Sequence, residues 1–125
     1  MLTEGWRVAR RILIVQSRME VAAALRGAIE GAAVEAVVLF DGHGVMRAIE
    51  SWAPDVVVVD LTLPVLDGWY VLAELGGLAS PPFVVVRVGT ADDVDRAIAL
   101  GADAWVDDDA HILAAAGRLV PAIAA

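Results

Sequence analysis

The chain contains no cysteine, and it contains no lysine either, so its nine fixed cations are all arginine. Without cysteine there can be no disulfide, thiolate nucleophile or zinc-thiolate site, a usage compatible with an intracellular, cytoplasmic setting. No apolar run approaches the ~20 residues that a spanning helix needs, although 59% of the residues are hydrophobic. The opening segment carries Glu4, Arg7, Arg10 and Arg11 with no apolar stretch between them, so it does not read as a signal peptide. Residues 1–10 are expected to form a loosely ordered leader. Seventeen acids against nine arginines give a net charge of -8, which makes the domain a poor direct partner for nucleic acid. Repeats, low-complexity tracts and linkers are also lacking, and 125 residues suffice for one unstapled core. A single domain is expected over residues 11–125.

Five short apolar runs are present, at residues 12–15, 34–40, 56–59, 83–88 and 104–106. Between them apolar residues recur at helical spacing: Val21, Leu25 and Ile29; Val45 and Ile49; Val71 and Leu75. Gly31, the Gly76-Gly77 pair and Gly101 stand where such helices would stop, and Pro54 and Pro81-Pro82 precede the third and fourth runs. Strict alternation of strand and helix predicts parallel strands joined by right-handed crossovers, an α/β doubly wound sheet of (βα)5 type. The last helix is expected over residues 110–123, led in by Asp107, Asp108 and Asp109 as N-cap and dipole partners.

The stretch VVVVDLTLPVLDGW, residues 56–69, runs four valines into Asp60. A buried parallel strand is expected to be such a β-branched run, and a carboxylate at its C-terminal end emerges at the edge where open α/β sheets place ligand chemistry. Asp67-Gly68 reads as the turn feeding the third helix. His43, in DGHG, and His111 have no Cys or carboxylate cluster at ligand spacing and read as surface residues. DGHG is too short for a phosphate-binding loop.

In its order of elements and in two motifs the chain resembles the response-regulator receiver domain of two-component signalling, over nearly its whole length. The motifs are VVVVDLTLPVLDGW, similar to the family's strand, phospho-accepting Asp, Pro and Asp-Gly turn, and ALGADAWV, similar to the lead-in to the family's fifth strand. The resemblance implies a flavodoxin-like fold with strand order 2-1-3-4-5. It also places the phospho-acceptor at Asp60, the residue whose carbonyl binds metal at Thr62, and the aromatic that changes rotamer on activation at Trp105.

The departures from the pattern are large. Where the family ends its first strand on two acids that hold Mg²⁺, ILIVQS supplies Gln16 and Ser17, neither of them charged. Mg²⁺ prefers carboxylates and sheds water reluctantly, so this exchange weakens a metal site severely. The family's lysine has no counterpart, and Asp108 falls at its position. The Ser/Thr that closes the family's fourth strand is missing from FVVVRVGTADD: counting from Pro82 selects Arg87, counting back from Gly101 selects Val86, and Thr90 lies past the strand. Phosphoryl transfer to a carboxylate depends on neutralisation by metal and cations. The expected function is therefore a pseudo-receiver, a non-enzymatic signalling module that works by protein contact without a metal or cofactor. In it Arg87 is expected to bind Asp60 and Asp108 together. The contact surface implied by the family is the last two helices and the fifth strand, around Trp105, engaging a protein partner or a second copy as a homodimer. In the alternative reading Asp60 accepts a phosphoryl group from a histidine kinase with Mg²⁺. A third makes the vacated space above Asp60 a small-ligand pocket.

Overall fold

The computed structural model describes residues 11–29, 34–62 and 67–107. In chain order these form β1 (Arg11–Val15), α1 (Met19–Ile29), β2 (Glu35–Leu39), α2 (Val45–Trp52), β3 (Val56–Asp60), α3 (Gly68–Gly76), β4 (Phe83–Arg87), α4 (Ala91–Ala99) and β5 (Ala104–Val106). The five strands make one parallel sheet in the order β2-β1-β3-β4-β5, the flavodoxin-like arrangement expected from the sequence. Gly31, Pro64, His111, Asp108, Asp109, the leader at residues 1–10 and the last helix expected at residues 110–123 lie outside the described residues.

The valine run of β3 does not alternate with polar residues because both faces of the sheet are covered, and all five of its residues are buried. Side chains nevertheless go to opposite faces in turn. Leu13, Val15, Val57, Val59, Val84 and Val86 point one way and pack with Val45 of α2, Val71, Leu72 and Leu75 of α3, and Ala97 of α4. Ile12, Ile14, Val56, Val58 and Val85 point the other way, toward Val21, Leu25 and Ile29 of α1. Burying each such side chain contributes about 1.5–3 kcal/mol, so these two layers dominate the stability of the domain.

Element ends follow pairing more closely than hydropathy. The apolar run at residues 34–40 is longer than the partner strand: β2 pairs from Glu35 to Leu39 with Arg11 to Val15, which leaves Phe40 in the bend beyond. Gly101 ends α4 with φ of 111°, a conformation that side-chain-bearing residues rarely adopt. A Cβ there would also lie 3.3 Å from the Cα of Gly76, so the two helix-ending glycines let α3 and the turn after α4 touch through their backbones.

Between β1 and β3 the chain reverses its direction of travel across the sheet, with α1 on one face and α2, α3 and α4 on the other. The crevice at the carboxyl ends of those strands is where the fold places a site. Leu72 is fully buried at the centre of the larger layer. Leu72→Ala is expected to lower the unfolding free energy by about 2–5 kcal/mol, read as a shift in the urea midpoint at constant slope. A change below about 1 kcal/mol would contradict the packing described.

Candidate functional site at the carboxyl edge of the sheet

Strand register alone brings three residues to one edge. Val15 lies opposite Val59 and Asp60 opposite Arg87, so Gln16, Asp60 and Arg87 stand side by side where β1, β3 and β4 end. Alternation then sets their direction: Gln16 continues the phase of Ile12 and Ile14, Asp60 that of Val56 and Val58, and Arg87 that of Val85. Val86, the other residue reached by counting along the sequence, has the opposite phase and is fully buried in the α2–α3–α4 layer.

Asp60 is buried to 1% of its surface, and both of its carboxylate oxygens are engaged. Oδ1 accepts hydrogen bonds from the backbone N–H of Thr62 at 2.8 Å and from the Thr62 hydroxyl at 2.6 Å. Oδ2 accepts from the Gln16 side-chain amide at 2.9 Å and lies 3.5 Å from Nη2 of Arg18 and 3.6 Å from Nη1 of Arg87. The cluster therefore sets one buried carboxylate against two guanidinium groups and three neutral donors. A charge this deep is tolerated only when it is paired and hydrogen-bonded, and here it is both.

Arg87 forms the expected ion pair with Asp60. At 3.6 Å the pair is ionic without being a hydrogen bond, and the same Nη1 instead donates to the Thr62 hydroxyl at 2.6 Å. Thr62 thus relays the contact, accepting from Arg87 and donating to Asp60. The cause is geometric: Arg87 is the direct neighbour of Asp60 on the adjacent strand, and its long side chain reaches past the carboxylate to the loop above. Asp108, the other carboxylate expected to meet Arg87, lies outside the described residues.

Gln16 is buried and acts in two directions. Its amide nitrogen holds Asp60 while its oxygen accepts the backbone N–H of Arg18 at 3.0 Å, which fixes the start of the β1–α1 loop. Ser17 follows, half-buried in that loop. Arg18, which sequence reasoning missed, sits two residues beyond the Gln16 position. The available signal was an arginine in the loop leaving a central strand at the ligand-binding edge, with a side chain long enough to reach the neighbouring strand end.

Asp67 and Gly68 form the turn into α3 as expected. Asp67 takes the left-handed conformation at φ of 50°, and a Cβ on Gly68 would lie 2.8 Å from the carbonyl oxygen of Asp60. Only glycine lets α3 begin so close to the end of β3. Thr90 lies past β4 and caps α4, accepting the backbone N–H of Asp93 at 3.3 Å. His43 is exposed in the loop before α2, where its N–H donates to Asp41 Oδ1, and so takes no part in the cluster.

Trp105 is apart from this cluster. It pairs in register with Val86, takes the phase of the α4 face, and lines a groove of about 350 Å³ with Val88, Thr90 and Val94. With 46% of its surface exposed, it stands on the other face of the sheet from Asp60 and Arg87. Among the described residues, no group of three or more His, Asp or Glu side chains lies together in an arrangement that could hold a metal ion. No described helix is long and apolar enough to cross a membrane.

A family model described as the response regulator receiver domain matches residues 12–114. The transcriptional regulatory protein KdpE of Mycobacterium tuberculosis (strain CDC 1551 / Oshkosh) is 31% identical over 96 residues, 76% of this chain and 42% of that protein. The DNA-binding response regulator MtrA of Mycobacterium leprae (strain TN) is 31% identical over 99 residues, 79% of this chain and 43% of that protein. The chain thus spans less than half the length of either relative. Among solved structures, the phosphorylated cyanobacterial phytochrome response regulator RcpA superposes with a TM-score of 0.75 at 20% identity, covering 94% of this chain and 97% of that one. The signal receiver domain from Bermanella marisrubri gives 0.74 at 24% identity, covering 90% and 98%, a likeness of fold. With its five-stranded parallel sheet, its buried strand-end aspartate and a family match over most of its length, this chain belongs to the response regulator receiver domain family.

Proposed function

We propose that this receiver domain transmits signals by protein contact, with Asp60 serving as a structural carboxylate and not as a phosphoryl acceptor. The observation that carries this reading is the engagement of both Asp60 oxygens by the protein's own donors, Thr62 on one and Gln16 with Arg18 and Arg87 on the other. A phosphoryl acceptor needs a free oxygen aimed at the incoming phosphorus and a metal or cations arranged around the transferring group. Here the cations address the carboxylate itself.

A divalent metal does not fit the residues present. Gln16 turns its amide nitrogen, a donor, toward Asp60 and gives its oxygen to the backbone of Arg18. Mg²⁺ would then find one carboxylate, already flanked by two guanidinium groups at 3.5 and 3.6 Å. Like-charge repulsion adds to the missing acidic ligands, so the domain works without a metal or cofactor and has no enzymatic activity of its own.

The output surface is the α4 and β5 face around Trp105, together with the last helix expected at residues 110–123, and it receives a protein partner or a second copy. A half-exposed tryptophan beside an open groove is the kind of anchor that dominates binding energy. Two relatives are regulators named for transcription or DNA binding, but direct contact with DNA is not assigned to this acidic domain. The net charge of -8 opposes it.

Incubation with acetyl phosphate and Mg²⁺ followed by intact-mass measurement tests the reading, with Asp60→Asn as the control. No adduct is expected under conditions that modify an ordinary receiver; an adduct that the control loses would overturn the assignment. Stability provides a separate check. Asp60→Ala should cost about 1–3 kcal/mol because it removes the buried acceptor shared by Gln16 and Thr62 and leaves their donors unsatisfied. Thr62→Val should cost about 1–3 kcal/mol through loss of the relay hydroxyl. Urea midpoints close to wild type for both variants would show that the network holds nothing together.

A further inference from the structure

Three tryptophans, Trp52, Trp69 and Trp105, fall among the described residues, and two of them already hold a cation. The guanidinium carbon of Arg96 lies 4.1 Å from the ring centroid of Trp69, and that of Arg11 lies 5.8 Å from Trp52. Both of those rings are half-buried. Trp105 is 46% exposed, and among the described residues no cation lies over it. Its ring is therefore an open face of the kind that this molecule covers with arginine elsewhere.

The charge beside that ring says what fits it. The groove that Trp105 lines is walled by apolar side chains and by two acids, Asp95 and Asp107, and no basic residue lines it. Asp107 already has a partner, which leaves Asp95 as the carboxylate open to a ligand. Asp95 is exposed and, like Asp92 and Asp93 on the same helix, forms no ion pair among the described residues. Arg96 stands four residues after Asp92, a spacing at which an arginine ordinarily offsets an acid, but its guanidinium is spent on Trp69. An indole and a carboxylate lining one apolar groove attract a flat, weakly hydrated cation through ring quadrupole and charge together, and a guanidinium can stack on the first while pairing with the second. A bare metal ion would find too few oxygen ligands there. A second copy of this chain would set its own α4 acids against these, on a surface of net charge -8, whereas a basic segment of another protein is drawn in by the same field. Ile98, 54% exposed and one turn beyond Val94 on α4, extends the apolar wall for a neighbour of the incoming cation.

Resting on the assignment of this face to the output partner, we propose that the groove between α4 and β5 is an arginine-recognition site. A partner protein inserts an arginine side chain that stacks on Trp105 and pairs with Asp95, and apolar neighbours of that arginine pack along Val94 and Ile98.

The full chain is titrated with a peptide of alternating arginine and leucine, and with the same peptide carrying citrulline, a neutral isostere, at each arginine. Binding is read by calorimetry and by the indole N–H resonance of Trp105, identified by its loss in Trp105→Leu. The arginine peptide should shift that resonance and bind about tenfold or more tightly than the citrulline peptide. Trp105→Leu and Asp95→Asn should each weaken binding by about fivefold or more, and Asp92→Asn, which removes the same charge from the same helix outside the groove, by less than about twofold. All three side chains are exposed, so circular dichroism spectra should be unchanged. Equal affinity for the two peptides would overturn arginine recognition while leaving the face as a docking surface. Equal losses in Asp95→Asn and Asp92→Asn would overturn the pocket in favour of general attraction to an acidic chain. A chain that dimerises through Trp105 in sedimentation velocity and excludes the peptide would overturn it in favour of a second copy. Whether Asp60 accepts a phosphoryl group is decided by the mass measurement alone, so an adduct there would sink the structural role of Asp60 and leave the peptide result standing.

Discussion

A carboxylate taken out of water at the end of a fully buried strand must be met by donors and opposite charge, and the edge of this sheet is organised around that demand. Asp60 receives hydrogen bonds from Gln16 and Thr62 and lies within ion-pair distance of Arg18 and Arg87. Each of these residues has a second attachment: Gln16 to the backbone of Arg18, Thr62 to Arg87. The carboxylate is therefore the common point through which the ends of β1, β3 and β4 and two loops are tied together. Buried ionic networks are not in themselves a source of net stability, but removing one member strands the others, which makes the arrangement hard to dismantle piecemeal.

The two faces of the sheet divide the labour. Asp60, Gln16 and Arg87 share the phase of the side chains that pack on α1, whereas Trp105 shares the phase of Val86 and looks toward α4. β4 joins the two sides, with Arg87 on one and Val86 on the other.

Much of the architecture was legible because the rules that generate it are local. A non-alternating valine run means both faces are covered, glycines and prolines punctuate helix ends and strand entries, and alternation of elements forces the parallel crossover topology. The resemblance to the receiver family then placed Gln16, Asp60 and one of two adjacent residues on β4 at a single edge. Neither could choose between Val86 and Arg87, since two counts along the sequence differed by one; only the observed pairing of Asp60 with Arg87 sets the phase. Nor could they find Arg18, or the hydroxyl of Thr62 standing between Arg87 and Asp60. Both depend on how far a side chain reaches from a loop, which periodicity does not encode. The same holds for Phe40, read as part of a strand and found exposed beyond its end because β2 runs only as far as its partner.

The central claim, that protein side chains hold Asp60 in place of a metal, is tested most directly by unfolding the domain in urea over a range of Mg²⁺ concentrations at constant ionic strength. A ligand that binds only the folded state must raise stability in proportion to the logarithm of its concentration once that exceeds the dissociation constant. The account predicts a midpoint that does not move with Mg²⁺. A midpoint that climbs with Mg²⁺ in the wild-type domain, and stays still in Asp60→Asn, would show that the carboxylate is a working metal ligand and contradict it.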